Sequence, residues 1–191
     1  MRQDHALHAI KDSDPRGRLR QLIRELSFTK GQFKLASGRT SNYFFNLKPT
    51  MLHPEGINLL ADAILEKVKG LEADYIGGLA MGAVPIVVAV VMKSQASDRP
   101  LKGFWVRKEV KDHGIVKAVD GDLADGAKVV IVEDVTTTGG SAMKAVEEAK
   151  KKHCEIRTVI TVIDRLEGAK ENLAKQGIEL ISLFTTEDFL G

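Results

Sequence analysis

The chain has 191 residues, a formal net charge of +2 at pH 7 and a single cysteine, Cys154. This length is enough to bury a sizeable core within one domain. The 28 basic and 26 acidic residues are mixed along the sequence, which gives no support for a nucleic-acid or membrane surface. Cys154 has no second cysteine to pair with, and no cysteine–histidine cluster predicts a zinc site. The polar N-terminus lacks a signal-peptide core and no apolar run could cross a bilayer, so we expect a soluble cytoplasmic protein.

The N-terminal part of the chain predicts a helix followed by a short β-ribbon. Residues 1–14 are polar and we expect them to be loosely ordered. Pro15 suits the first turn of a helix, and apolar residues then recur at helical spacing at Leu19, Leu22, Ile23 and Leu26. In segment 33–46, two short strand-like runs flank a Ser-Gly-Arg turn. Alternation along the second run sends one of the adjacent rings of Phe44 and Phe45 inward and the other outward.

Helix and strand patterns alternate through the next part of the chain. Pro54 begins a helix whose buried stripe is Leu60, Ile64 and Val68. A buried strand at 75–78 leads through the small residues of 79–82 into an apolar helix at 86–92, and Lys102 to Val106 predicts a further strand. The small residues of 79–82 would let a ligand approach the backbone closely, although tight helix–sheet packing alone would also explain them.

Residues 107–114, which we name the charged loop, follow directly after that strand. Four basic side chains lie within seven of its residues: Arg107, Lys108, Lys111 and His113. No helical or strand periodicity accounts for this spacing. A charged run is usually a solvated loop. A long charged loop in a compact α/β domain is also typical of a lid over an active site.

The most informative segment runs from Val129 to Ser141. The β-branched run 129–132 predicts a strand buried on both faces, as in a parallel sheet, and it ends at Glu133 and Asp134. A polar, glycine-containing turn then leads into a helix from Ala142; its residues are Val135, Thr136, Thr137, Thr138, Gly139, Gly140 and Ser141. We name residues 136–141 the phosphate turn, because N–H groups and hydroxyls at the carboxyl end of a strand form an anion site.

The chemistry of the phosphate turn favours a sugar phosphate. No lysine adjoins Ser141, so the turn does not match an ATP-type phosphate loop, and a lysine-free turn suits a phosphate monoester. Glu133 and Asp134 would repel that phosphate if they faced it, and they are better suited to accept vicinal hydroxyls or to hold a hydrated cation. The simpler alternative is an ordinary strand–helix turn with a Thr or Ser cap.

The remaining patterns complete an α/β protein. A β-rich run at 156–163 ends at Asp164 and Arg165, followed by a short helix at 168–176 and a last strand at 178–184. The predicted fold is a mostly parallel central sheet of about five strands flanked by helices, with a small N-terminal hood. We expect a single domain over residues 1–191, divided into an N-terminal helix and hood at 15–50 and an α/β core at 51–191.

Four of these segments resemble parts of a known family. Segment 129–141 resembles the motif with which type I phosphoribosyltransferases bind phosphoribosyl pyrophosphate (PRPP), and 79–82 falls at their pyrophosphate loop. The pattern F-x-L-x-S-G-R-x-S-x-Y-F-F-N at 33–46 resembles the hood of orotate phosphoribosyltransferases in particular. The order R-K-E-x-K-D-H-G in the charged loop resembles their catalytic loop. Ala36 and Gly82 stand where some members carry a lysine.

The resemblance implies an Mg²⁺-dependent pentosyl transfer from PRPP to N1 of orotate in pyrimidine biosynthesis, giving orotidine 5′-monophosphate and pyrophosphate. The implied catalytic residues are Arg107, Lys108, Lys111 and His113. These four are also implied to bind PRPP, together with Glu133, Asp134, Val135, Thr136, Thr137, Thr138, Gly139, Gly140 and Ser141. The implied orotate-binding residues are Phe44, Phe45, Thr137 and Arg165, with the Arg165 guanidinium on the orotate carboxylate.

The resemblance also implies the cofactor and the assembly. Mg²⁺ would be held mainly by PRPP and water, with Asp134 as a partner through water and no direct protein ligand. The protein is expected to be a homodimer in which the charged loop of one subunit covers the site of the other. Two alternatives stay open at this point: a PRPP-binding regulator that lacks catalysis, and a phosphoribosyltransferase for a purine or another base.

Overall fold

The structure, a computed structural model, describes residues 14–34, 40–108 and 118–190. Within these ranges the helices and strands follow in the order α1 (Pro15–Leu26), β1 (Phe28–Lys34), β2 (Thr40–Phe45), α2 (Lys48–Met51), α3 (Pro54–Val68), β3 (Tyr75–Leu79), α4 (Ala83–Ser94), β4 (Lys102–Val106), β5 (Val119–Asp120), β6 (Lys128–Thr136), α5 (Gly140–Lys150), β7 (Glu155–Asp164), α6 (Ala169–Ala174), β8 (Glu179–Thr185) and α7 (Glu187–Leu190).

A mostly parallel sheet with the strand order β5-β4-β3-β6-β7-β8 forms the centre of the molecule. Strands β4, β3, β6, β7 and β8 pair in parallel, and β5 alone pairs antiparallel with β4. Helices α3 and α4 pack on one face of the sheet, and α5 and α6 pack on the other. The arrangement confirms the predicted fold class, because parallel strands need crossover helices that cover both faces.

The β-branched run of β6 shows why this strand is central. Val130 and Val132 enter the core on the α3–α4 face, whereas Val129 and Ile131 enter the core on the α5–α6 face. All four side chains are buried. A continuous apolar run is therefore the pattern required of this position, since both of its faces are covered.

Two strands differ from the sequence-based expectation. Strand β5 has only two residues, so no periodicity could reveal it, and it exists because Trp105 and Val106 of β4 pair with it. Strand β1 begins at Phe28, earlier than the predicted run from Phe33, and most of its side chains are exposed. It is held by antiparallel pairing with β2 rather than by an apolar pattern of its own.

The hood is attached to the core by aromatic rings. The ring centroid of Phe45 lies 5.0 Å from that of Phe28 and 5.2 Å from that of Phe189, near the C-terminus. Phe189 also contacts Phe184 of β8, with ring centroids 5.9 Å apart. Such offset and edge-on pairs add to the free energy gained by burial alone. The C-terminal helix α7 is thus part of what positions β2 beside the sheet.

The first helix begins as predicted. Asp14 Oδ1 accepts a hydrogen bond from Arg16 N at 3.0 Å, and Pro15 occupies the first helical position. Of the four apolar residues at helical spacing, Leu19, Leu22 and Ile23 are buried, and Leu26 at the helix end is exposed. In the described ranges no helix combines the length and the apolar character needed to cross a bilayer.

Gly77 offers a test of the packing between β3 and β4. It pairs with Phe104, whose ring is fully buried and occupies the space where a Cβ on Gly77 would lie. We expect Gly77→Ala to lower the free energy of unfolding by about 1–3 kcal/mol, because the Phe104 ring must shift within a packed core. Urea unfolding followed by circular dichroism measures this change.

The matched control for this substitution is Gly140→Ala. A Cβ on Gly140 would meet only Thr138 Oγ1 at 3.9 Å, so its unfolding midpoint should stay close to that of the unaltered chain. Equal unfolding midpoints for the two variants would show that the Phe104 ring does not constrain Gly77.

Candidate active site

The phosphate turn lies where β6 passes into α5. Gly139 adopts φ +85°, a left-handed conformation that glycine tolerates, and it occupies the position before the first residue of α5. Because Gly139 has no side chain, it cannot cap the helix in the way that Thr or Ser would. The first N–H groups of a helix have no partner within it. This geometry favours an anion site over the alternative of an ordinary capped turn.

A small cavity of about 30 Å³ opens at this turn, and seven of its eight lining residues belong to the segment predicted from the sequence. The lining consists of Glu133, Val135, Thr136, Thr137, Gly139, Gly140, Ser141 and Ala142. Thr138 lies outside this lining, and its carbonyl oxygen accepts a hydrogen bond from Asn172 Nδ2 at 3.0 Å. The contact ties the turn to α6.

Glu133 and Asp134 are neighbours near the end of β6, and their surroundings differ. Glu133 lines the cavity below the phosphate turn and is 6% exposed, and its Oε2 has no hydrogen-bond partner among the described residues. Burial and the adjacent Asp134 carboxylate raise the pKa of Glu133 to about 9. Glu133 is therefore neutral at pH 7, which removes the repulsion that a carboxylate would exert on a phosphate in this turn.

Asp134 lies against the turn that precedes α4. Its Oδ1 accepts a hydrogen bond from Val135 N at 2.8 Å, and a Cβ on Gly82 would lie only 2.6 Å from the same oxygen. Gly82 thus makes room for the carboxylate, and a lysine at this position would require Asp134 to move. Asp134 is the more exposed member of the acidic pair.

Arg165 reaches the same edge from β7. Its backbone N–H donates to Thr136 O at 2.9 Å, which places it beside the phosphate turn. Arg165 as a whole is 7% exposed, and its Cζ lies 4.9 Å from the ring centroid of Tyr43. Nη2 donates to Ser41 Oγ at 3.3 Å, whereas Nε lies 2.9 Å from Glu167 Oε1 without the alignment of a hydrogen bond.

Three of these partners of Arg165 were not singled out from the sequence. Ser41 and Tyr43 lie in the hood, far from Arg165 along the chain, and only the fold brings them together. Glu167 follows Arg165 by two residues, so its proximity in sequence was the one available signal. Together they leave part of the guanidinium edge engaged by protein groups before any ligand binds.

The adjacent rings of β2 separate as alternation predicts. Phe44 is 43% exposed and contacts Phe33, with ring centroids 5.5 Å apart. The Phe45 ring is buried in the aromatic cluster with Phe28 and Phe189. A flat ligand beside the hood can therefore contact the Phe44 ring, whereas the Phe45 ring is enclosed by its aromatic neighbours.

The first residues of the charged loop lie at the end of β4. Arg107 donates from Nε and Nη2 to the two carboxylate oxygens of Asp120, each at 2.8 Å. The Asp120 carboxylate raises the pKa of Arg107, and Arg107 in turn lowers the pKa of Asp120. Lys108 is exposed. Lys111 and His113, the two other predicted catalytic residues, lie outside the described residues.

The described residues do not form a protein-only metal site. No group of three or more His, Cys, Asp or Glu side chains within 14–34, 40–108 and 118–190 could hold a metal ion. The partly exposed carboxylate of Asp134 fits a cation that is held mostly by a substrate and water. The donor set is thus compatible with the expected mode of Mg²⁺ binding.

Comparisons with known proteins agree with this geometry. A family model described as phosphoribosyl transferase domain matches residues 47–187. An orotate phosphoribosyltransferase of Rhodopseudomonas palustris (strain TIE-1) is 48% identical over 185 residues, which cover 95% of this chain and 99% of the relative. The orotate phosphoribosyltransferase of Rhodopirellula baltica is 42% identical over 174 residues, covering 88% of this chain and 90% of the relative.

Solved structures give the same family. The orotate phosphoribosyltransferase of Mycobacterium tuberculosis H37Rv in complex with Fe(III) dicitrate superposes with a TM-score of 0.81 at 33% identity, covering 93% of this chain and all of that one. A structure of the same enzyme with PRPP has a TM-score of 0.78 at 31% identity, covering 92% and 99%. The matches span nearly the whole length of both chains. The chain therefore belongs to the orotate phosphoribosyltransferases, within the phosphoribosyltransferase family.

Proposed function

We propose that this chain transfers the phosphoribosyl group of PRPP to N1 of orotate, releasing pyrophosphate and forming orotidine 5′-monophosphate for pyrimidine biosynthesis. The observation that carries the proposal is the hydrogen bond from Arg165 N to Thr136 O at 2.9 Å. It joins the uncapped phosphate turn to a buried guanidinium at one edge of the sheet. A phosphate site and a carboxylate-binding fork side by side fit a sugar phosphate and an acidic base.

The phosphate turn would bind the 5-phosphate of PRPP. Backbone N–H groups from Thr136 to Ser141 and the first turn of α5 supply donors, and the helix dipole favours an anion there. The half-exposed Asp134 would accept the ribose hydroxyls, and Val135 contributes backbone groups. Glu133, which is neutral at pH 7, would act as a hydroxyl donor at the inner side of the turn.

The base would lie between the hood and the end of β7. The Arg165 guanidinium binds the orotate carboxylate, since a planar fork matches a carboxylate. The Phe44 ring and the Phe45 backbone border the pyrimidine, and the Thr137 hydroxyl reaches the base. The M. tuberculosis enzyme has been solved with PRPP and with inorganic phosphate, which supports a phosphate-binding role for the corresponding fold.

Negative charge on the departing pyrophosphate is the main electrostatic demand of the reaction, and preorganised cations meet it most directly. We assign this role to Arg107, Lys108, Lys111 and His113. His113 would also protonate pyrophosphate, because imidazole titrates near neutral pH. Mg²⁺, held by PRPP and water with Asp134 as a partner through water, would supply further positive charge at the pyrophosphate and ribose oxygens.

The proposal includes a homodimer in the cytoplasm, with the charged loop of each subunit covering the site of the other. Helix α4 supports an association surface. It is apolar on nearly all sides, yet Val88 and Met92, one turn apart, are 54% and 67% exposed. A helix that is hydrophobic all round is normally covered.

Two other functions are distinguished by the base site. A purine phosphoribosyltransferase would have no substrate carboxylate for Arg165, so its activity would not depend on the Arg165 guanidinium. A PRPP-binding regulator would bind PRPP without consuming orotate. The buried Arg165 beside Tyr43 and Ser41 favours the orotate enzyme over both.

The reaction itself is tested by following orotate absorbance with PRPP and Mg²⁺. We expect the unaltered protein to consume orotate. In Lys111→Ala the turnover rate should fall by about a hundredfold or more, as for loss of one preorganised donor. Lys152→Ala, at an exposed ion pair with Asp125, serves as a control and should keep full activity. PRPP binding by calorimetry without any orotate consumption would favour the regulator.

Arg165→Ala tests the base site. We expect KM for orotate to rise roughly 10- to 100-fold, the range for loss of a charged hydrogen bond, while KM for PRPP changes little. Arg165→Lys, which keeps the charge without the fork, should recover only part of the affinity. Thermal unfolding of each variant checks that it is folded, because Arg165 is buried against Glu167 and its replacement can also lower stability.

The control for this experiment is an arginine of β7, the strand that Arg165 directly follows. Arg157 lies near the start of β7, at the opposite end of that strand from Arg165, where it is exposed and pairs with Glu155. Arg157→Ala should leave both KM values unchanged. Orotate kinetics that do not respond to Arg165→Ala would contradict the assignment of the carboxylate to Arg165.

The dimer is tested by Met92→Glu, which places a charge on the exposed face of α4. Sedimentation should show a dimer for the unaltered protein and a monomer for the variant, because a buried unpaired carboxylate is costly at an interface. Leu26→Glu, at an exposed leucine of α1, is the control and should remain dimeric. A monomer for the unaltered protein would refute the proposed assembly.

The raised pKa of Glu133 predicts how stability depends on pH. The folded state holds this proton up to about pH 9, whereas the unfolded carboxyl loses it near its ordinary value of 4.5. The stabilisation that this proton gives the folded state is complete below the unfolded pKa of 4.5, and it is lost as pH rises through the folded pKa of about 9. Its slope is at most about 1.4 kcal/mol per pH unit.

Urea unfolding at a series of pH values checks this prediction. Glu133→Gln, which stays neutral, should lack the decline shown by the unaltered protein. Glu72→Gln is the control, because Glu72 is exposed and its pKa is lowered by Lys128. The decline should persist in that variant. Parallel pH profiles for Glu133→Gln and the unaltered protein would mean that Glu133 is ionised when folded.

A further inference from the structure

Asp120 lies beside the edge of the sheet at which the site is formed. Ala80 N donates to Val106 O at 2.8 Å, so Arg107 follows β4 directly beside the turn 79–82. The short strand β5 returns antiparallel to β4, with Asp120 opposite Trp105, and Arg107 N donates to Ala118 O at 2.9 Å. Asp120 is thus held by backbone pairing at the base of the charged loop.

Both carboxylate oxygens of Asp120 accept hydrogen bonds from side chains at the end of β4. Oδ1 accepts from Arg107 Nη2 at 2.8 Å. Oδ2 accepts from Arg107 Nε at 2.8 Å and from Trp105 Nε1 at 2.9 Å. The indole N–H fixes the plane of the carboxylate, and the carboxylate in turn fixes the plane of the guanidinium.

The hydrogen bonds to Asp120 leave the outer edge of the guanidinium unused by that carboxylate. A guanidinium carries five N–H groups, and Asp120 takes one from Nε and one from Nη2. Both N–H groups of Nη1 and the second of Nη2 point away from Asp120. This pair of nitrogens forms a second fork, and such a fork matches two oxygens of a phosphate group.

A purely stabilising role explains this arrangement poorly. The side chains of Arg107 and Asp120 are 49% and 29% exposed, and ion pairs at such exposure contribute little to the free energy of unfolding. The bidentate geometry with a second donor from Trp105 instead restricts orientation. Restricting a side chain before binding lowers the entropy lost when a ligand engages it.

We propose that Asp120 is a positioning residue, which holds the Arg107 guanidinium so that the outer fork, which Asp120 does not engage, meets the pyrophosphate group of PRPP. The inference rests on the proposed role of Arg107 in binding PRPP. Asp120 itself does not touch the substrate. It acts through Arg107, and Trp105 orients it.

Steady-state kinetics of Asp120→Asn tests this role. Asparagine keeps one acceptor of similar shape but loses the charge and the bidentate contact. We expect KM for PRPP to rise about tenfold through loss of orientation, with KM for orotate unchanged. Asp125→Asn is the matched control: Asp125 forms a 2.8 Å ion pair with Lys152 and has no contact with Arg107, so both KM values should stay unchanged.

A double-variant cycle separates the positioning role from the role of Arg107. If Asp120 acts only through Arg107, then adding Asp120→Asn to Arg107→Ala should cause no further rise in KM for PRPP. Two outcomes would overturn the positioning role and leave the role of Arg107 intact. In the first, Asp120→Asn raises KM for PRPP both in the unaltered protein and in Arg107→Ala. In the second, Arg107→Ala raises KM for PRPP and Asp120→Asn by itself does not. An unchanged KM for PRPP in Arg107→Ala would overturn both.

Trp105 provides a readout that does not depend on activity. It is the single tryptophan of the chain, so tryptophan fluorescence emission reports on this position alone. Removing the acceptor of its N–H with Asp120→Ala should shift the emission maximum, and Asp125→Asn should not. Identical emission spectra for Asp120→Ala and the unaltered protein would show that the Trp105–Asp120 contact is absent in solution, which would also overturn the proposal.

Discussion

Backbone hydrogen bonds at the carboxyl ends of the parallel strands hold the candidate site together. Thr136 O accepts from Arg165 N at 2.9 Å, and Val106 O accepts from Ala80 N at 2.8 Å. These bonds depend on strand register rather than on side chains, so the relative positions of the phosphate turn, the turn 79–82 and the end of β7 follow from the sheet. The functional groups are thereby carried on a rigid edge, as in other open α/β sheets.

A difference in burial separates the two members of the acidic pair at this edge. Glu133 points below the phosphate turn, where burial makes a neutral carboxyl the stable form at pH 7. Asp134 is partly exposed and fits the space left by Gly82. The two residues are neighbours in sequence, yet one can line a phosphate site without repelling the ligand and the other can accept hydroxyls.

The two guanidinium groups proposed to bind substrate are each held by a protein carboxylate. Arg165 is buried beside Glu167 and stacked on Tyr43, whereas Arg107 is half exposed and bound by both oxygens of Asp120. In both cases part of the planar donor edge is engaged by the protein. A guanidinium oriented in this way has less rotational freedom to lose on binding.

The sequence by itself determined the features that repeat locally or follow a motif: the doubly buried β6, the helix begun by Pro15, and the opposite directions of Phe44 and Phe45. Only the tertiary structure decided which distant residues meet. The strand β5, the aromatic cluster around Phe45 and the pairing of Asp120 with Arg107 depend on strand order and loop return, which leave no periodic signal in the chain. Periodicity reports whether a side chain is buried, and packing alone specifies its partner.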